Sequence, residues 1–147
     1  MFFFTSYIYK TFFDSVKIYA ESLYYNLHQK DLNVGITITY HGLTDPTTRE
    51  AMKILNQSTD IISVTYYGIN SDFTVKQPTE IISDFNQLLA IYSDSTQPIY
   101  FVECGYPSSS VCNSSEILQK EFIEKVFTAW DSNIPQIKYI AFFKLRA

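Results

Sequence analysis

The chain has 147 residues, 46% hydrophobic and 17% aromatic, with a net charge of −4. That length and composition suit one domain with a core of its own, and exclude a disordered chain or two domains of ordinary size. The modest acidity argues against a nucleic-acid protein and leaves a neutral ligand open.

No stretch approaches the roughly 20 apolar residues of a membrane span. Met1-Phe2-Phe3-Phe4 lacks the basic lead of a signal peptide and is broken at once by Thr5, Ser6 and Tyr7. It reads as the start of something structured or as a truncation scar. Cys104 and Cys112 are the only cysteines, and His28 and His41 lie far from them in sequence, so no zinc site and no other metal is expected. The two thiols allow a local disulfide. Asn56-Gln57-Ser58 and Asn113-Ser114-Ser115 match the glycosylation sequon, and with the cysteines they lean toward an extracytoplasmic protein.

In chain order, the spacing of apolar residues such as Phe12, Val16, Tyr19, Leu23 and Leu27 predicts a helix over 7–30. A β-branched strand follows over 34–40, ended by His41-Gly42. Asp45-Pro46 reads as an N-cap with proline in the first turn, opening a helix over 46–56. The next strand spans 60–67, and Pro78-Thr79-Glu80 opens a helix over 78–93.

A continuous apolar run over 98–103 then reads as a strand buried on both faces, which ends on Glu103 and is turned outward by Gly105 and Pro107. Asn113-Ser114-Ser115-Glu116 caps a helix over 114–131, and a last strand spans 137–143.

Strict alternation predicts an α/β fold with four parallel strands joined by right-handed helical crossovers. No Gly-rich phosphate loop follows any strand and no Ser nucleophile elbow is present, so neither a nucleotide nor any other cofactor is expected. The carboxyl ends of parallel strands are where ligands usually meet this kind of sheet. They would gather Tyr40, His41, Tyr66, Tyr67, Glu103 and the Phe142-Phe143 pair. A carboxylate nucleophile needs a donor to hold its oxygen, which a tyrosine hydroxyl supplies, and aromatic rings suit the faces of sugars. The bland alternative for each tyrosine is core packing.

Val64-Thr65-Tyr66-Tyr67-Gly68 and Val102-Glu103-Cys104-Gly105-Tyr106-Pro107-Ser108 resemble the last third of a retaining glycoside hydrolase built on a (β/α)8 barrel. The arabinogalactan endo-β-1,4-galactanases and related cellulase-like families are the nearest in feel. The resemblance implies that the chain is the C-terminal half of a TIM barrel, secreted when full-length, with a carbohydrate substrate. It makes Glu103 the nucleophile, Tyr66 or Tyr67 its hydrogen-bond partner, and His41, Tyr40, Tyr106 and Phe143 substrate contacts. The acid/base Glu that follows an Asn at the end of the fourth barrel strand has no counterpart here. A retaining glycosidase needs two carboxyl groups, so the isolated chain is expected to be inactive without a missing N-terminal half-barrel.

A half-barrel leaves strands 34–40 and 137–143 as edges, with only Lys138 as a protective charge, so self-association is expected. Two other readings remain. One is a non-catalytic carbohydrate-binding or interaction module on the same scaffold. The other is an unrelated compact domain, which would need a non-sequential strand order and helices on both faces of the sheet.

Overall fold

A computed structural model describes residues 2–28, 33–57 and 59–143. Helix α1 (Phe2–His28) leads to β1 (Gly35–Thr39), the short α2 (Tyr40–Thr44) and α3 (Arg49–Asn56). Then come β2 (Ile61–Tyr67), a 3-10 turn at Pro78–Glu80 running into α4 (Ile81–Ile91), and β3 (Ile99–Gly105). A second 3-10 turn (Ser110–Cys112), α5 (Glu116–Asp131) and β4 (Ile137–Phe142) complete the described chain.

The strands form one four-stranded sheet in the order β1-β2-β3-β4, every neighbouring pair parallel. This is the alternating α/β arrangement expected from the pattern. The sequential order differs from the non-sequential one expected of an unrelated compact domain.

Several boundaries differ from the sequence reading, each for a local reason. The first helix begins at Phe2 rather than residue 7, and its predicted end at residue 30 lies outside the described residues. Asp45 does not open a helix. Its carboxylate instead closes a turn, accepting hydrogen bonds from Thr47 N at 2.8 Å and Thr47 Oγ1 at 2.7 Å. The residues before it form α2, whose first turn is capped by Thr39 Oγ1 accepting from Gly42 N at 3.0 Å. The third strand runs two residues beyond Glu103, to Gly105.

Alternation sorts the strand residues onto two faces. Ile38, Ile62, Val64, Tyr66, Ile99, Phe101, Cys104 and Ile140 face the layer built by α3, α4 and α5. There they pack with Leu55, Phe85, Leu88, Phe122 and Val126. At the centre the Phe85 and Phe101 rings stack at 4.6 Å, with Tyr66 edge-on to Phe85 at 5.5 Å. The opposite face carries Thr37, Ser63, Thr65, Tyr67, Tyr100 and Glu103, tied in part by a 2.9 Å bond between Thr37 and Ser63 hydroxyls. None of α3, α4 and α5 packs on that side.

No helix among the described residues is long and apolar enough to cross a membrane. Of the two sequons, Asn56 is 1% exposed and donates to the Tyr92 hydroxyl at 3.1 Å, so the folded chain does not present it for modification.

The stacked Phe101 ring is fully buried. Phe101→Ala is expected to lower stability by about 3–5 kcal/mol, the usual cost of emptying an aromatic core site. Urea unfolding of the two proteins measures it.

Candidate functional site

Strict alternation would put Glu103 on the same face as Ile99 and Phe101, among the core aromatics. The register shows why it is not there. Val64 pairs with Phe101 but the next residue, Thr65, pairs with Glu103, so Val102 is an extra residue in β3. This β-bulge turns Glu103 onto the opposite face and returns Cys104 to the core.

On the neighbouring strand, Tyr67 is the last residue of β2 and points to the same side. Its hydroxyl donates to Glu103 Oε2 at 2.7 Å. Burial, the hydrogen bond to Glu103 and the carboxylate's charge push the Tyr67 phenol up to about 12. Tyr67 therefore stays a proton donor at neutral pH, and the oxygen it holds is kept from rotating freely.

Gly105 makes room for this pair. A Cβ at that position would lie 2.7 Å from Tyr67 Cε1 and 2.9 Å from Cδ1. The phenol ring crosses the Gly105 backbone to reach Glu103, so any side chain there would displace it.

The other sequence-predicted residues do not join Glu103. Tyr66 faces the helices, where its hydroxyl donates to Asp84 Oδ2 at 2.8 Å. Of the two candidate tyrosines, Tyr67 is thus the one beside the carboxylate. Tyr40 begins α2 instead of ending a strand; it is buried, and its hydroxyl donates to Gln87 Oε1 at 2.9 Å. His41 is exposed, with Nε2 3.2 Å from the Ile69 carbonyl oxygen.

Tyr106 is buried, donates to the Lys76 carbonyl at 2.7 Å and stacks on Phe122 at 4.7 Å. With Phe143 it lines a cleft of about 240 Å³ between the ends of β3 and β4 and helix α5, and Glu103 is not among its walls. Cys104 and Cys112 are free thiols, so the structure does not contain the disulfide. Cys104 faces the core, where burial pushes its thiol up to about 12.

Asp84 was missed by sequence reasoning, although it leaves a signal. It lies on the buried stripe of α4 with Ile81, Phe85 and Leu88, where a carboxylate requires a partner. It has two, since Lys76 Nζ lies 2.6 Å from the same oxygen that Tyr66 reaches.

The loops at this end of the sheet offer Asp45 and Asp72. Both carboxyls are held below the usual carboxylate range by hydrogen bonds from Thr47 and Thr74 respectively. Such groups stay ionised and do not serve as general acids near neutral pH. Among the described residues, no cluster of three or more His, Cys, Asp or Glu has metal-binding geometry. No protein-family model, curated protein or solved structure matches the chain.

Gly105→Ala is expected to cost about 1–3 kcal/mol through overpacking and to push the Tyr67 ring off Glu103. Urea unfolding reads the first effect. NMR titration of ¹³Cζ-labelled tyrosine reads the second, as a fall of the Tyr67 phenol from about 12.

Proposed function

We propose that this chain is the C-terminal half of a (β/α)8 barrel from a retaining glycoside hydrolase, with Glu103 as nucleophile and Tyr67 as the donor that orients it. The observation that carries this reading is the 2.7 Å bond from Tyr67 to Glu103 across the carboxyl ends of adjacent parallel strands. The sequential strand order and the helix layer on one face support the barrel part. A barrel of this kind closes at eight strands, and four are present among the described residues.

In the reaction, one Glu103 oxygen attacks the anomeric carbon as the glycosidic bond breaks, and Tyr67 holds the other oxygen in place. A second carboxyl, about 5 to 5.5 Å away in retaining enzymes, protonates the leaving oxygen and then activates water. Asp45 and Asp72 are unsuited to that step because their hydrogen bonds favour the ionised form. The acid/base group belongs to the other half of the barrel.

A non-catalytic sugar-binding module has its own supporting observation. Tyr100 and Tyr139, on adjacent strands, place their ring centroids 5.7 Å apart, an aromatic surface suited to stacking on sugars.

A substrate whose leaving group needs no proton separates the two. With 2-deoxy-2-fluoroglycosyl fluorides of the gluco, galacto and manno series, Glu103 attacks C1, the C–F bond breaks and fluoride departs. The 2-fluoro group slows hydrolysis of the resulting ester. Mass spectrometry is expected to find one sugar on the peptide containing Glu103, and none in Glu103→Gln. Sugar binding that persists in Glu103→Gln, with no adduct from any of the three reagents, would favour the binding module. Translating the DNA upstream of the Met1 codon tests the half-barrel directly. Four further βα units with an Asn-Glu strand end support it, and an in-frame stop immediately upstream counts against it.

A further inference from the structure

The Tyr67 hydroxyl bonds Glu103 and its carbonyl accepts from Ile69 N at 2.8 Å, and both of its chain neighbours are tied to one buried ion pair. On one side, the Tyr66 hydroxyl donates to Asp84 Oδ2 at 2.8 Å. On the other, the Gly68 carbonyl accepts from Lys76 N at 3.0 Å, and Gly68 N donates to Gly105 O at 3.2 Å. Lys76 closes the circuit, because its Nζ lies 2.6 Å from the same Asp84 oxygen.

Lys76 is held at three points besides Asp84. Its carbonyl accepts from the Tyr106 hydroxyl at 2.7 Å, its ammonium lies 5.3 Å from the Tyr40 ring centroid, and its backbone N–H is the donor to Gly68 already described. Both members of the pair are largely buried, with side-chain exposures of 16% for Lys76 and 11% for Asp84. A pair removed from water in this way is costly to form, and costly to break by removing one partner. Asp84 arrives from α4, Lys76 from the loop after β2, and Tyr66 from β2 itself. The residue held between these attachments is Tyr67.

We infer that the buried Lys76–Asp84 pair, acting through Tyr66 and Gly68, is a positioning device that holds the Tyr67 hydroxyl on Glu103. The inference deepens the proposed function and rests on its assignment of Glu103 and Tyr67 as a working pair. Lys76, Asp84 and Tyr66 touch neither substrate nor Glu103, so they are positioning residues. Tyr66→Phe removes a single hydroxyl and leaves the ring stack in place, which separates the anchor from the packing.

The test reads Tyr67 itself, in the full chain labelled with ¹³Cζ-tyrosine at neutral pH. Tyr67→Phe assigns the resonance, and Glu103→Gln gives its position without the carboxylate. In Asp84→Asn and in Tyr66→Phe, the Tyr67 resonance is expected to move most of the way to its Glu103→Gln position. Val126→Ala, a buried change on α5, is expected to lower the melting temperature and leave that resonance in place. If Asp84→Asn does not fold, Tyr66→Phe decides alone.

A Tyr67 resonance unmoved in the folded variants, whatever their melting temperatures, would overturn the inference and leave the network a purely structural one. A Tyr67 resonance indifferent to Glu103→Gln would overturn it together with the pair on which it rests. A shifted resonance with no glycosyl adduct would uphold the positioning device and defeat only the hydrolase reading.

Discussion

A phenol hydroxyl enclosed by apolar rings has to find a hydrogen-bond acceptor, and that requirement at Tyr66 organises this fold. The ring is fully buried and meets Tyr40, Phe85, Phe101 and Phe122 within 6.2 Å. An unpaired hydroxyl at such a site would cost about 1–3 kcal/mol. Asp84 supplies the acceptor, and in doing so brings a carboxylate onto the apolar stripe of α4. That charge in turn requires Lys76, whose backbone then fixes the return of the loop after β2. Burial and the Asp84 charge drive the Tyr66 phenol far above its ordinary range, so its proton stays on the hydroxyl. One aromatic placement thus carries with it an acid, a base and the course of a loop.

The same strand pair meets two demands on its two faces. Toward the helices, β2 and β3 provide aromatic mass, with the Tyr66 hydroxyl matched by Asp84. Away from them, they provide a hydrogen-bonded tyrosine and carboxylate that remain reachable. Residues 66 and 67 are adjacent in sequence but lie on opposite faces, one in the core and the other in the candidate site. Division by residue parity is what a sheet allows when α3, α4 and α5 pack on one of its faces.

Much of the fold was legible because the chain alternates cleanly between two hydrophobic periods. The four strands and the main helices follow from that alternation, and right-handed crossovers then imply a parallel sheet. Helix α2 escaped because five residues, Tyr40-His41-Gly42-Leu43-Thr44, carry too little periodicity, and a central glycine reads as a strand terminator.

The site was legible in part. A carboxylate closing an apolar run is visible in sequence, but its direction is not, since a continuous apolar strand gives no parity. The choice between Tyr66 and Tyr67 hung on that same missing parity. Tyr40 and Tyr106 look alike in sequence whether a hydroxyl reaches solvent or a neighbouring acceptor. Both reach an acceptor, Gln87 and the Lys76 carbonyl respectively.

The extra residue at Val102 has a bearing on how this protein can change. A strand that kept Val102 but paired it in regular alternation would turn Glu103 into the stratum occupied by Phe85 and Phe101, and would have to enclose a carboxylate among hydrocarbon rings. The penalty would fall on folding before any chemistry was lost. Foldability therefore proofreads the direction of this side chain: a strand that straightened with Val102 in place would fail to fold, whether or not Glu103 had work to do.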